Sequence, residues 1–242
     1  MSASFPTLTF APGTMCDERV WHPVWNELRS EFGLDYIPLE TARNRHDIEA
    51  LFDAAFERRR DANEKLNLIA FSMGGYMAFD YAVRHPERAA SLVSICAAPM
   101  ALSERERKQR AFSITYLQTH DYTGPSPNRL NQMLHPKHHG ESPIKDIMLA
   151  MDASLGAETL LTQLKETTYR KDLTEQLATI DCPCLVVVGD SDPIVPVEKG
   201  QTIVGALPNA DLKIAEETGH MVPLEAPLWL ASTLKSFYLS TL

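Results

Sequence analysis

Leu66-Asn67-Leu68-Ile69-Ala70-Phe71-Ser72-Met73-Gly74-Gly75 decides the fold. Leu66 to Phe71 is a short, nearly unbroken apolar run, the pattern of a strand buried on both faces. Met73 to Val83 reads as a helix that ends before His85-Pro86, because the residue preceding a proline is pushed out of helical geometry. Ser72 stands between strand and helix. Its neighbours two before and two after, Ala70 and Gly74, are small, as they must be where strand and helix approach closely. A serine there occupies a sharp, strained turn that lifts its Oγ clear of the backbone. Ala70 stands where the G-x-S-x-G pattern has its first glycine. The competing reading of the hexapeptide is a serine that merely caps a helix.

Working outward, short apolar runs alternate with helical stripes. Leu8-Thr9-Phe10 reads as a strand, and Trp21, Val24, Trp25 and Leu28 follow at helical spacing. Tyr36-Ile37-Pro38-Leu39 reads as a poorer strand whose proline suggests a sheet edge. Ile48, Leu51, Phe52, Ala55 and Phe56 make another helix, with the charge run Arg58-Arg59-Arg60-Asp61 as a solvated face. Leu92 to Ala97, Leu185 to Val188 and Leu212 to Ala215 complete six strands, and the chain closes with a helix from about Leu224 to Tyr238. This alternation predicts an α/β fold: a mostly parallel sheet of about six strands flanked by helices on both faces. Between Ala101 and Ile180 there are helical stripes and a Gly124-Pro125-Ser126-Pro127 loop but no convincing strand. Residues 101–178 therefore read as a helical insertion over one end of the sheet, with 1–100 and 179–242 as the core.

The composition bounds the function. The chain has 242 residues, 44% of them hydrophobic, enough for one core plus an insertion. A net charge of −9 argues against nucleic acid and anionic membrane surfaces as partners. No run reaches the ~20 apolar residues of a membrane span. The first ten residues lack the basic and apolar regions of a secretory signal. Cys16, Cys96, Cys182 and Cys184 fit no zinc or redox spacing. A reduced cytoplasmic protein, monomeric or a homodimer, is the expectation.

A serine hydroxyl needs a base. Among eight histidines, His220 follows the last strand in Glu217-Thr218-Gly219-His220-Met221-Val222-Pro223, at the carboxyl end where parallel sheets gather functional groups. The base in turn needs an acid to hold its tautomer. Gly189-Asp190-Ser191-Asp192-Pro193 offers two. Asp192 is the choice, since Asp190 directly follows the strand-end glycine and has the character of a turn residue. Two backbone N–H groups should face the substrate oxygen: that of Met73, in the first turn of its helix, and that of Thr14, in the Ala11-Pro12-Gly13-Thr14-Met15-Cys16 loop. An ordinary strand-to-helix turn is an equal reading of that loop.

In order and in strand context, these residues resemble the α/β-hydrolase family over nearly the whole chain. His85-Pro86-Glu87-Arg88, Gly189-x-x-Asp192, and Gly219-His220 followed by Pro223, Glu225 and Pro227 are similar to it as well. The resemblance implies a Ser72–His220–Asp192 triad and a helical cap over 101–178. Two departures stand out. Pro12-Gly13 replaces the usual His-Gly, and the chain begins at what would be the third strand, so the sheet should be shorter. The expected activity is hydrolysis of a small, largely apolar carboxylic ester through an acyl-enzyme, with no cofactor and no metal. The same triad could serve a lactone, a thioester, a carbon–carbon bond beside a ketone or an elimination in menaquinone biosynthesis. The non-enzymatic alternative is a ligand-binding protein on the same scaffold. His135, His138 and His139 lie close together, but without a carboxylate pattern they read as a solvated loop. Cys16 reads as a buried inert thiol. Some of Phe112, Tyr116, Tyr122, Met133, Met148, Met151 and Tyr169 should line an apolar pocket.

Overall fold

The structure is a computed structural model that describes residues 6–62, 64–140 and 142–241. Six strands form one sheet: β1 (Thr7–Ala11), β2 (Gly33–Tyr36), β3 (Leu66–Phe71), β4 (Ala89–Ile95), β5 (Cys184–Gly189) and β6 (Ala210–Ala215). Their order is β2-β1-β3-β4-β5-β6 and every pairing is parallel. Helices α1 (His22–Leu28), α2 (Arg45–Arg60), α3 (Met73–Arg84), α7 (Val197–Ala206), α8 (Val222–Glu225) and α9 (Pro227–Thr241) surround it. Helices α4 (Glu104–Thr119), α5 (Pro127–Met133) and α6 (Pro143–Thr168) lie between β4 and β5.

The period-2 alternation of the strands builds two cores. Leu68, Ala70, Val186 and Val188 face one side, where Phe52 of α2, Met77 of α3 and Ile203 of α7 pack. Ile69, Phe71, Leu185 and Val187 face the other, against Val24 and Leu28 of α1 and Leu230 and Leu234 of α9. Burial on both faces is what the apolar runs at 66–71 and 184–188 require.

Two elements differ from the sequence expectation. The second strand lies at Gly33–Tyr36, not Tyr36–Leu39. Ile37 N–H still reaches the Phe10 carbonyl at 2.9 Å, but Pro38 has no N–H to donate and the chain turns into a 3₁₀ helix at Leu39–Thr41. It is the edge strand, as the proline suggested. The closing helix is broken: α8 stops at Ala226 (φ −135°, ψ 50°), which Pro227 keeps out of helical geometry.

The three inserted helices start on serine caps. Ser103, Ser126 and Ser142 each accept from a backbone N–H of the first turn, and Ser103 forms a full capping box with Glu106. Helix α6 is kinked at Gly156, whose φ of 71° only glycine adopts freely. The charge run ending α2 is paired rather than simply solvated: Arg58 with Asp35, Arg59 with Glu64, Arg60 with Glu57.

The approach of α3 to the sheet is the tightest constraint. A Cβ at Gly74 would be driven into the carbonyl oxygen of Pro12, with the Ala11 carbonyl oxygen at 2.9 Å. Because backbone cannot yield as a side chain does, Gly74→Ala should destabilise the protein by about 1–3 kcal/mol, read as a lowered Tm in a thermal melt. An unchanged Tm would refute the close-approach account.

Candidate active site

The sheet order reverses at the β1/β3 boundary. The chain runs from β1 to β2 on one side and resumes at β3 on the other, so the loops leaving β1 and β3 diverge and leave a crevice at their carboxyl ends. Thr14 stands in the first loop and Ser72 in the second.

Ser72 has φ 51° and ψ −113°, a strained backbone for a residue with a side chain. The turn is held from outside: Ser72 N–H donates to the Ile95 carbonyl at 2.9 Å, and Tyr76 N–H to the Ser72 carbonyl at 3.2 Å. The side chain makes no cap hydrogen bond to its own helix. That removes the capping reading and leaves Oγ free for another partner. The partner is His220 Nε2, at 2.9 Å. On the other side of the ring, Nδ1 lies 2.8 Å from Asp192 Oδ2. His220 and Asp192 are both almost wholly buried. Asp192 Oδ1 accepts the Ile194 N–H at 2.8 Å. Burial works to raise the Asp192 carboxyl. The His220 charge and the hydrogen bonds of His220, Ile194 and Val195 outweigh it and hold the group below the usual carboxylate range.

Asp190 has a different place. Its carboxylate accepts the backbone N–H groups of Glu217 (2.8 Å) and Thr218 (3.1 Å). Burial raises it and these bonds lower it, with a net depression. It ties the β5 turn to the loop that carries His220. Glu225 does similar work: its two oxygens accept the N–H groups of Met221 (3.0 Å) and His135 (2.8 Å). His220 N–H itself donates to the Met133 carbonyl at 2.9 Å. The His220 loop is thus fastened both to the sheet and to the inserted segment.

Among the described residues, no group accepts from the backbone N–H of Thr14 or of Met73, and both residues line the cavity that Ser72 and His220 face. The Thr14 loop is braced by two contacts. Cys16 Sγ lies 3.5 Å from the Thr14 carbonyl, and the N–H of Met15 (φ 54°) donates to Gln163 Oε1 at 2.9 Å. Gln163, on α6 and buried, was invisible to sequence reading: nothing in a helical stripe marks a glutamine that reaches back 148 positions. Burial pushes the Cys16 thiol up to about 12, so it stays protonated. Cys96 is pushed well above its ordinary value by burial and by Asp192. With Asp192 and His220 it forms a group whose potential ligand atoms lie within 4.8 Å of one another, although His220 Nδ1 is engaged by Asp192.

The cavity has a volume of about 610 Å³. Tyr122, Met133, Met148 and Met151 line it, whereas Phe112, Tyr116 and Tyr169 are exposed. The three clustered histidines do not converge: His135 Nδ1 accepts the Lys137 N–H, and His139 Nε2 meets the Leu134 carbonyl. No helix among the described residues is long and apolar enough to cross a membrane.

The alpha/beta hydrolase fold model matches residues 40–227. The chain belongs to the alpha/beta hydrolase family. It is 27% identical over 181 residues to the uncharacterized hydrolase YugF of Bacillus subtilis, covering 70% of this chain and 64% of that one. It is 24% identical over 159 residues to a pimeloyl-[acyl-carrier protein] methyl ester esterase of Hamiltonella defensa, covering 63% and 61%. The chain thus spans rather less than two thirds of these relatives. Among solved structures, a thermophilic esterase from Thermogutta terrifontis superposes with a TM-score of 0.84 at 20% identity, over 98% of this chain and 90% of that one. Within this hydrolase fold, the two aspartates of the β5 turn should behave differently. Asp192→Asn should lower the turnover of an activated ester on the order of 10⁴-fold with little change in Tm. Asp190→Asn should act mainly on stability, by about 1 kcal/mol, since it weakens the bonds to the Glu217 and Thr218 N–H groups. Assays of both variants, paired with melts, read the difference; reversed effects would reverse the assignment.

Proposed function

We propose that the protein is a serine hydrolase that cleaves a carboxylic ester through a Ser72–His220–Asp192 triad. The observation that carries this reading is the continuous 2.9 Å and 2.8 Å relay from Ser72 Oγ through the imidazole to Asp192, opening on a cavity. The names of the esterase relatives support it.

Ser72 Oγ attacks the ester carbonyl carbon as His220 Nε2 takes its proton. Asp192, kept ionised, stabilises the imidazolium and holds the Nδ1–H tautomer. The carbonyl oxygen becomes an oxyanion and accepts from the unpartnered N–H groups of Thr14 and Met73. The tetrahedral intermediate collapses, and the leaving alcohol takes the proton from Nε2. Water then attacks the acyl-enzyme, His220 removes its proton, and collapse returns that proton to Ser72 as the acid departs. Residues 101–178 act as a cap that closes the cavity over Ser72. No step calls for a metal or an organic cofactor.

Ser72→Ala should abolish hydrolysis of a p-nitrophenyl ester and labelling by a fluorophosphonate probe, with the far-UV spectrum and Tm retained. Residual turnover at the wild-type rate would sink the triad. Gln163→Leu tests the braced oxyanion loop. It should lower kcat by about tenfold or more with KM little changed, because a misplaced donor forfeits part of the ~2.7–4 kcal/mol that one donor supplies. An unchanged kcat would show that Met15 needs no such anchor.

A further inference from the structure

The cavity before Ser72 carries charge that the triad does not use. Arg110 of α4, Arg129 of α5, Arg170 just after α6 and Lys199 of α7 line it, against Glu106 and Asp152. This cationic excess sits inside a chain of net charge −9. None of the three arginines forms an ion pair among the described residues. Arg110 Nη1 donates to Thr167 Oγ1 at 2.6 Å. Arg170 Nε donates to the Met100 carbonyl at 2.9 Å, and its guanidinium lies 4.8 Å from the centre of the Tyr76 ring. The Arg129 side chain has no hydrogen-bond partner among the described residues.

The two acids of the lining are engaged elsewhere. Glu106 accepts the N–H and hydroxyl of its capping serine, Ser103. Asp152 accepts the Tyr122 hydroxyl at 2.6 Å. No carboxylate therefore lies within ion-pair distance of these guanidiniums among the described residues, and Glu106 acts on Arg110 and Arg170 only through its charge. Burial, then the charge of Arg170 and that of Arg129, lowers Arg110 to about 10, with Glu106 opposing; burial lowers Arg170 too. Holding like charges together in a partly desolvated pocket is unfavourable unless something compensates them. A guanidinium fork is matched to a planar oxyacid and keeps its charge.

We propose that Arg110 and Arg129 form an anion subsite for a carboxylate on the substrate, so that the ester cleaved at Ser72 belongs to a molecule carrying a free acid group. Arg170, pinned by Met100 and Tyr76, adds field without needing to move. The apolar stretch of the wall, Met133, Met148, Met151, Leu160 and Leu164, then receives the aliphatic part. The inference rests on the serine-hydrolase reading and narrows it from a largely apolar ester to an anionic one.

The test compares 4-nitrophenyl hemiglutarate, which is anionic, with neutral 4-nitrophenyl butyrate. The wild type should prefer the hemiester in kcat/KM, and the preference should shrink as salt rises. Arg110→Gln and Arg129→Gln should each lower the anionic-to-neutral ratio by about tenfold or more, the scale of one lost charge-assisted hydrogen bond, and Arg110→Lys should restore part of it. Equal use of both esters, or a ratio that neither variant moves, would overturn the subsite. If Arg110→Gln fails to fold, Arg129→Gln decides alone, since its side chain has no hydrogen-bond partner among the described residues. Calorimetry on Ser72→Ala separates this proposal from the hydrolase reading. Glutarate should bind and inorganic phosphate should not, whether or not any ester is turned over. Binding of phosphate alone, or of neither, would reject the carboxylate assignment. Absence of turnover and of fluorophosphonate labelling, with glutarate still bound, would reject the triad and leave the subsite standing.

Discussion

The site depends on one backbone turn being held where it would not rest alone. Ser72 takes a positive φ that a side chain opposes, and the turn survives because β3, α3 and the loop after β1 are pressed together with no room to relax. Gly74 lets α3 start against the Pro12 and Ala11 carbonyls, and Gly75 lets it pass Ala97. Both glycines lie in the first turn of α3, so the close packing that strains Ser72 also aims the N-terminus of that helix, and the unpartnered N–H of Met73, at the crevice. The proposed nucleophile and the proposed oxyanion donor are consequences of one packing event.

The same strain recurs at the ends of other strands. Met15 after β1, Cys96 after β4 and Glu217 after β6 also have positive φ without being glycine, alongside Ser72 after β3. All four stand at the carboxyl edge of the sheet, around the buried His220–Asp192 pair. Strained residues persist where surrounding structure over-determines them, and here that support can be named: Gln163 for Met15, the Val187 carbonyl for Cys96, Asp190 for Glu217. Held by these contacts, the edge keeps the geometry that the proposed triad needs before substrate arrives.

Much of this was readable from residues whose local physics leaves few options. The apolar run at 66–71 could only be a doubly buried strand, Ala70 and Gly74 had to be small, and the Val-rich stretch at 185–188 is an interior strand paired on both sides. Asp190 followed a strand-end glycine, and it does bind turn backbone. What escaped were features set by tertiary contact. Pro38 left the edge strand three residues earlier than its apolar neighbours suggested, at Gly33–Tyr36, and Pro227 divided the last helix. The methionines and Tyr122 that the sequence offers as apolar lining do line the cavity, whereas Arg110 and Arg129, which line it too, look like ordinary surface charges on polar helices. Only the placement of α4 and α5 brings them to the wall of the cavity that Ser72 shares.

That placement links the two proposed parts of the site. Arg110 donates to Thr167 Oγ1, Thr167 Oγ1 donates to the Gln163 carbonyl at 2.6 Å, and Gln163 Oε1 accepts from Met15 beside Thr14. The arginine proposed to hold the substrate's acid and the loop proposed to hold its oxyanion are thus joined through one turn of α6. Gln163 Nε2 is buried and unpartnered, a polar group left unsatisfied at a joint that is otherwise well bonded. In the proposed reading, the turn of α6 that anchors Arg110 is thus the same turn that holds Met15.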